Sequence, residues 1–152
     1  MSAVSEAQKA IIQGKFLAGG VSCLKDHPLS FSDIKTLRSK MLPDGDNAKC
    51  FAECLFKKIG IMDDMGMVSA EGARKQAAQV FKNSEDHLQK AEELIETCST
   101  VNKQDISEAG TKSCDRAKVL FTCLVDNAPK VQQFFLTTHI YFFRKLFGSL
   151  TI

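Results

Sequence analysis

The chain has 152 residues, 44% hydrophobic and 25% charged, with 20 basic against 18 acidic side chains and a formal net charge of +2. That size and balance suit one compact domain with a single core and exclude a disordered chain. A charge so close to zero, with basic pairs such as Lys57-Lys58 and Arg144-Lys145 standing apart, supplies no phosphate-binding stripe, and no nucleic-acid partner is expected.

Read in chain order, the hydrophobic periodicity is helical throughout. Met1 to Glu6 contain no basic segment followed by an apolar run, so the expected reading is a mature form without its secretion leader. Ser5-Glu6-Ala7-Gln8 fits a capping box, and Ile12, Phe16, Gly19 and Cys23 follow at three- and four-residue steps, predicting a first helix that Pro28 ends. A short second helix over Ser32 to Lys40 carries Ile34, Leu37 and Met41. Pro43-Asp44-Gly45-Asp46 then supplies a turn and an N-cap for a third helix, which Gly60 stops. Asp63-Asp64-Met65-Gly66 is turn chemistry. Helical pattern returns from Ser69 to about Phe81, restarts near Ser84 and runs to Cys98. Ser99 to Gly110 reads as a polar loop before a helix bearing Cys114 and Cys123, broken at Asp126-Asn127-Ala128-Pro129. No alternating run suggests a strand, and the expected class is all-α with six or seven helices.

The last segment, Val131 to Ile152, holds five of the eleven Phe residues and the sole Tyr. Leu136, Ile140, Phe143 and Phe147 form one seam, flanked by Phe135, Phe142 and Leu146, while Gln133, Thr137 and Arg144 face away. The expected organisation is therefore residues 1–128 as the main helical domain and 129–152 as an amphipathic helix that packs on it or caps it; the alternatives are a partner-binding module whose seam takes another copy or a partner helix, and attachment to a lipid surface through Lys130, Arg144 and Lys145 beside the apolar face. Gln133, Arg144 and Lys145 interrupt the apolar run, so a membrane span is not expected.

Six cysteines punctuate this pattern: Cys23, Cys50, Cys54, Cys98, Cys114 and Cys123. An even set with no CxxC pair argues for three disulfides, and hence an oxidising compartment, over zinc or a redox dithiol. Cys50 and Cys54 lie at i and i+4, on one helix face with near-parallel Cβ vectors, and do not suit a mutual bond. Cys114 and Cys123, nine residues apart, fall on opposite faces of theirs. These two exclusions leave about 10 of the 15 connectivities open to six cysteines.

The order Cys-x26-Cys-x3-Cys-x43-Cys-x15-Cys-x8-Cys, with Cys54-Leu55 leading into Lys57-Lys58-Ile59-Gly60-Ile61-Met62-Asp63-Asp64-Met65-Gly66, resembles the insect odorant-binding proteins, including their pheromone-binding and general odorant-binding branches. The resemblance runs over about residues 5–128. It implies a helical shell around an apolar cavity, locked by Cys23–Cys54, Cys50–Cys114 and Cys98–Cys123. It further implies a secreted carrier of small hydrophobic ligands such as volatile alcohols, aldehydes, esters or fatty acids, with an olfactory receptor as onward partner. No cofactor or metal is called for, and the protein is expected as a monomer or homodimer. Positions matching the family's cavity wall are Phe16, Leu37, Met41, Ala52, Phe56, Met62, Ile95, Leu120 and Leu124. A tail that closes the mouth adds Phe135 and Phe142, with Thr138 and Tyr141 for a polar ligand head.

Competing readings find less in the residues. Phospholipase A2 chemistry needs a glycine-rich calcium loop and a His-Asp pair beside a cysteine, whereas Asp26-His27 is reversed and has no adjacent cysteine. Asp63-Asp64 alone lacks the ligand count of a calcium loop. No Gly-x-Ser-x-Gly or HExxH occurs. A non-olfactory lipid carrier uses the same cavity physics, while a cytokine-like bundle does not suit short helices and three staples. His27 and His87 are expected at the surface.

Some pheromone-binding relatives release ligand in acid when tail carboxylates become protonated. This chain has no Asp or Glu after Asp126, and only His139 in its tail titrates between pH 5 and 8. Ligand affinity is therefore expected to depend on pH weakly or with a different sign between pH 7 and pH 5, and equal affinity at the two values would support this. A dye titration at both values checks this, and a sharp loss at pH 5 that survives His139→Ala would contradict it.

Overall fold

Local caps set where the chain turns. Ser5 accepts a hydrogen bond from the Gln8 amide while its own amide donates to Gln8 Oε1 (2.8 Å), the capping box that opens α1 (Glu6–Asp26). Ser30 and Asp33 repeat the device at α2 (Phe31–Arg38). α3 spans Asp46–Lys58, α4 Ala70–Val80, α5 Glu85–Ser99 and α6 Lys112–Asn127, with a 3-10 turn at Thr100–Lys103. This computed structural model describes residues 4–39, 41–106 and 112–127. Among them there is no strand, only one isolated antiparallel bridge between Met62 and Val68.

The expected all-α class is what the molecule has, with corrections after α2 and after α5 and with the cap of α3 located within its expected turn. Met41 falls beyond α2, which ends at Arg38. Gly45 at φ +98° is the N-cap of α3 and offers no side-chain cap, while Asp46 lies inside the first turn, where a carboxylate favours the helix dipole. The stretch expected as a polar loop from Ser99 begins with the 3-10 turn, because Val101 is driven into the core at 1% exposure.

α3 is the central element, packed against both α1 and α6. Cys54 bonds to Cys23 of α1, Cys50 bonds to Cys114 of α6, and Cys98 of α5 closes onto Cys123 of α6. The bonds span 31, 64 and 25 residues. Loop-closure entropy for such spans gives each about 3.5–4.3 kcal/mol as an upper bound.

α4 carries no cysteine and is fixed by backbone approach and charge. Ser69 caps it by accepting from the Gly72 amide (3.0 Å), and Arg74 forks onto both carboxylate oxygens of Glu92 on α5 (2.8–3.0 Å). Gly72 lies against the backbone of Gly60, so that a Cβ placed there would stand 2.0 Å from the Gly60 carbonyl oxygen. Gly72→Ala is therefore expected to destabilise the fold by at least about 1–3 kcal/mol through overpacking against backbone. Thermal denaturation of the oxidised variant checks this.

Candidate functional site

One apolar cluster occupies the middle of the molecule. Ile34 and Leu37 reach it from α2, Phe51, Ala52 and Phe56 from α3, and Ala117, Leu120 and Phe121 from α6, with Met62, Val68 and Val101 closing it from the loops. Of the nine predicted wall residues that the structure describes, Leu37, Ala52, Phe56, Met62 and Leu120 belong to this cluster, and Phe16 and Leu124 pack on its margin. Ile95 is half-buried, and Met41 lies outside at 63% exposure. Phe135, Thr138, Tyr141 and Phe142 fall outside the described residues, as does the 129–152 segment.

Polar groups around the cluster are spent on holding its wall. The Asn102 side chain acts as a substitute strand, donating from Nδ2 to the Val68 carbonyl (2.9 Å) and accepting at Oδ1 from the Val68 amide (2.8 Å). Asp63 Oδ1 accepts from the amides of Met65 and Met67, which shapes the turn that sends Met62 and Val68 inward. Arg116 Nη1 donates to the Val101 carbonyl (2.6 Å) and ties α6 to the 3-10 turn. Lys49 pairs with Asp115 at 2.8 Å beside the Cys50–Cys114 bond, and this hydrogen-bonded carboxylate raises the ammonium above its usual pKa. Arg74 likewise holds the Glu92 carboxyl below its usual range.

Sequence reasoning missed several of these residues. Val101 and Asn102 stand in a polar run with no periodicity, so nothing marked them; their roles come from the return of the chain past residue 68. His87 was expected at the surface and is buried at 8% exposure, stacked on Phe81 with ring centroids 5.1 Å apart and hydrogen-bonded through Nδ1 to Ser84 Oγ. The aromatic partner comes from the far side of a turn, which helical spacing does not reveal.

Six cysteines paired in this interleaved way around an apolar centre coincide with a match of residues 5–127 to the family model described as PBP/GOBP. The chain belongs to the PBP/GOBP family. General odorant-binding protein 28a of Drosophila melanogaster is 26% identical to it over 116 residues, 76% of this chain and 77% of that protein. General odorant-binding protein 19d of the same species is 25% identical over 104 residues, 68% of this chain and 65% of that protein. Among solved structures, odorant-binding protein dmelOBP28a from Drosophila melanogaster superposes with a TM-score of 0.61 at 23% identity, covering 82% of this chain and 98% of that one. The fatty acid binding protein OBP56a from the oral disk of the blowfly Phormia regina gives 0.52 at 23% identity, covering 84% and 96%.

PBP/GOBP proteins are non-enzymatic carriers of small hydrophobic ligands and are typically secreted. Among the described residues, no His, Cys, Asp and Glu grouping could hold a metal ion, and no helix is long and apolar enough to cross a membrane.

The Lys49–Asp115 pair joins the two helices that form most of the cluster's wall. A double-mutant cycle with Lys49→Met and Asp115→Asn is expected to give a coupling of about 1 kcal/mol in chemical denaturation. Because the lysine's folded pKa is raised, the coupling is full below the ordinary lysine pKa and is lost as pH rises through the folded value. A coupling unchanged well above that range would show that charge is not its source.

Proposed function

We propose that this PBP/GOBP protein carries neutral, weakly polar volatiles such as alcohols, aldehydes or esters, acting as odorants or pheromones, and delivers them to an olfactory receptor. The apolar cluster is the candidate binding region, with Phe16, Leu37, Ala52, Phe56, Met62, Leu120 and Leu124 as the wall. The supporting observation is the charge environment. Among the described residues, the partly buried Lys49, Lys57 and Arg116 are each engaged, by Asp115, Glu53 and the Val101 carbonyl respectively. A ligand carboxylate entering such a core would be desolvated without a matching charge, whereas a hydroxyl or carbonyl requires only one hydrogen bond. Met62, unbranched and polarisable, lets the same wall accept several chain shapes.

A fatty-acid carrier is the second reading, favoured by the structural likeness to OBP56a, whose description names fatty acid binding. One titration separates the two. The chain has no Trp and a single Tyr, so an environment-sensitive apolar dye can be followed against a low background. The oxidised protein is expected to bind dye near-stoichiometrically with a micromolar Kd, about −8 kcal/mol, and to lose binding on reduction and alkylation. Long-chain alcohols and aldehydes should displace the dye at least about tenfold better than fatty acids of equal length at pH 7. The reverse ranking would establish the fatty-acid reading, and no saturable binding by the oxidised form would remove the carrier reading altogether.

A further inference from the structure

The outer face of α1 carries the wrong residues for a surface in water. Along its 21 residues the exposed positions between Glu6 and Lys25 are Ala7, Ala10, Ile11, Gly14, Ala18 and Val21, with no charge among them. Five of these, Ala7, Ile11, Gly14, Ala18 and Val21, follow one another at steps of 4, 3, 4 and 3, the spacing of a seam that receives another helix. The charges nearby turn away from it, Lys9 toward Glu6 at 3.2 Å and Lys15 toward Gln79 of α4 at 3.0 Å. The opposite face is already used, since Cys23 is bonded to Cys54 and Phe16, Leu17 and Leu24 pack on the core. A helix apolar on both faces is one covered on both faces. Ile11 at 42% and Val21 at 45% exposure are thus two large aliphatic side chains on a stripe that nothing among the described residues covers.

We infer that residues 131–152 of the same chain form the helix that occupies this stripe. Their seam, Leu136, Ile140, Phe143 and Phe147, repeats the 4, 3, 4 step. It is also complementary in size. The α1 stripe alternates Ile and Val with Ala and Gly, and an added Cβ at Gly14 would meet nothing within 4 Å, so the stripe offers hollows where the tail offers Leu, Ile and Phe. Length agrees as well, because 22 helical residues extend about 33 Å, enough to run along α1 from either end.

Area decides between this occupant and a second copy. Two α1 stripes face to face would bury on the order of 300 Å² each, against the roughly 800 Å² per partner that a stable dimer needs. A tethered segment, by contrast, is held at millimolar effective concentration and needs far less. Docking also removes two liabilities at once, since each apolar surface would otherwise invite aggregation. The inference does not depend on what the protein carries.

Trypsin reads it directly in the full-length oxidised protein, because Arg144 and Lys145 lie within the tail segment. Cleavage there should be slow in the native chain. In Ile11→Asp/Val21→Asp it should be faster by about tenfold, as cleavage follows the population of undocked tail. The two changed positions are exposed, and an unaltered circular dichroism melt of the body confirms folding. Gly14→Leu, which fills the hollow, should act in the same direction. Fast cleavage of the native chain, or protection that ignores all three substitutions, overturns the inference. So does protection that rises with protein concentration alongside dimerisation in sedimentation, which would give the stripe to a second copy.

Discussion

Everything in this fold hangs on two cysteines one helical turn apart. Cys50 and Cys54 leave α3 with nearly parallel side chains, so they cannot close on each other and must take partners on two other helices. α3 becomes the axis of the molecule, with α1 bonded near its C-terminal half and α6 near its N-terminal half. The rest follows from that axis. α6 is held in place to receive α5 through Cys98–Cys123, and the 43 residues between Cys54 and Cys98 are left free to form the α4–α5 hairpin on its own terms, with glycine-to-backbone contact and an Arg–Glu fork in place of sulfur.

This division of labour suits a carrier. A binding region for hydrophobic molecules needs an apolar lining that is not fully committed to its own packing, and a lining of that kind gives up dispersion contacts. Stability must then come from bonds and contacts other than apolar packing. Here they are three cross-links, with Cys23 and Cys98 buried among the cluster's own members, together with the Asn102 clamp on Val68, the Arg116 contact to Val101 and the Lys49–Asp115 pair. None places an unpaired charge against the central cluster.

How much of this was legible beforehand depends on the range of the interaction. Helix starts with a local chemical device, such as Ser5 with Gln8, could be read from four residues. That Phe56 and Leu120 turn toward the apolar centre could be read from the family spacing. Cysteine geometry narrowed the pairing but did not settle it, and the family pattern supplied the rest. What escaped was tertiary. Val101 and Asn102 are meaningful only against Val68, 33 and 34 residues earlier in the chain. His87 is interior only because the α4–α5 turn folds Phe81 over it. The cap of α3 falls within the Pro43 to Asp46 turn, at Gly45, whose φ of +98° suits a glycine.

The three bonds also overlap in sequence, 23 to 54, 50 to 114 and 98 to 123, so that no peptide bond from Cys23 to Cys123 lies outside all of them. A protease that cuts one bond in that span produces a nick but not two molecules. In an extracellular fluid containing proteases, the body would survive a single cut as one covalent object whose damage shows only after reduction. The 29 residues beyond Cys123 have no such insurance, and a cut among them releases a fragment.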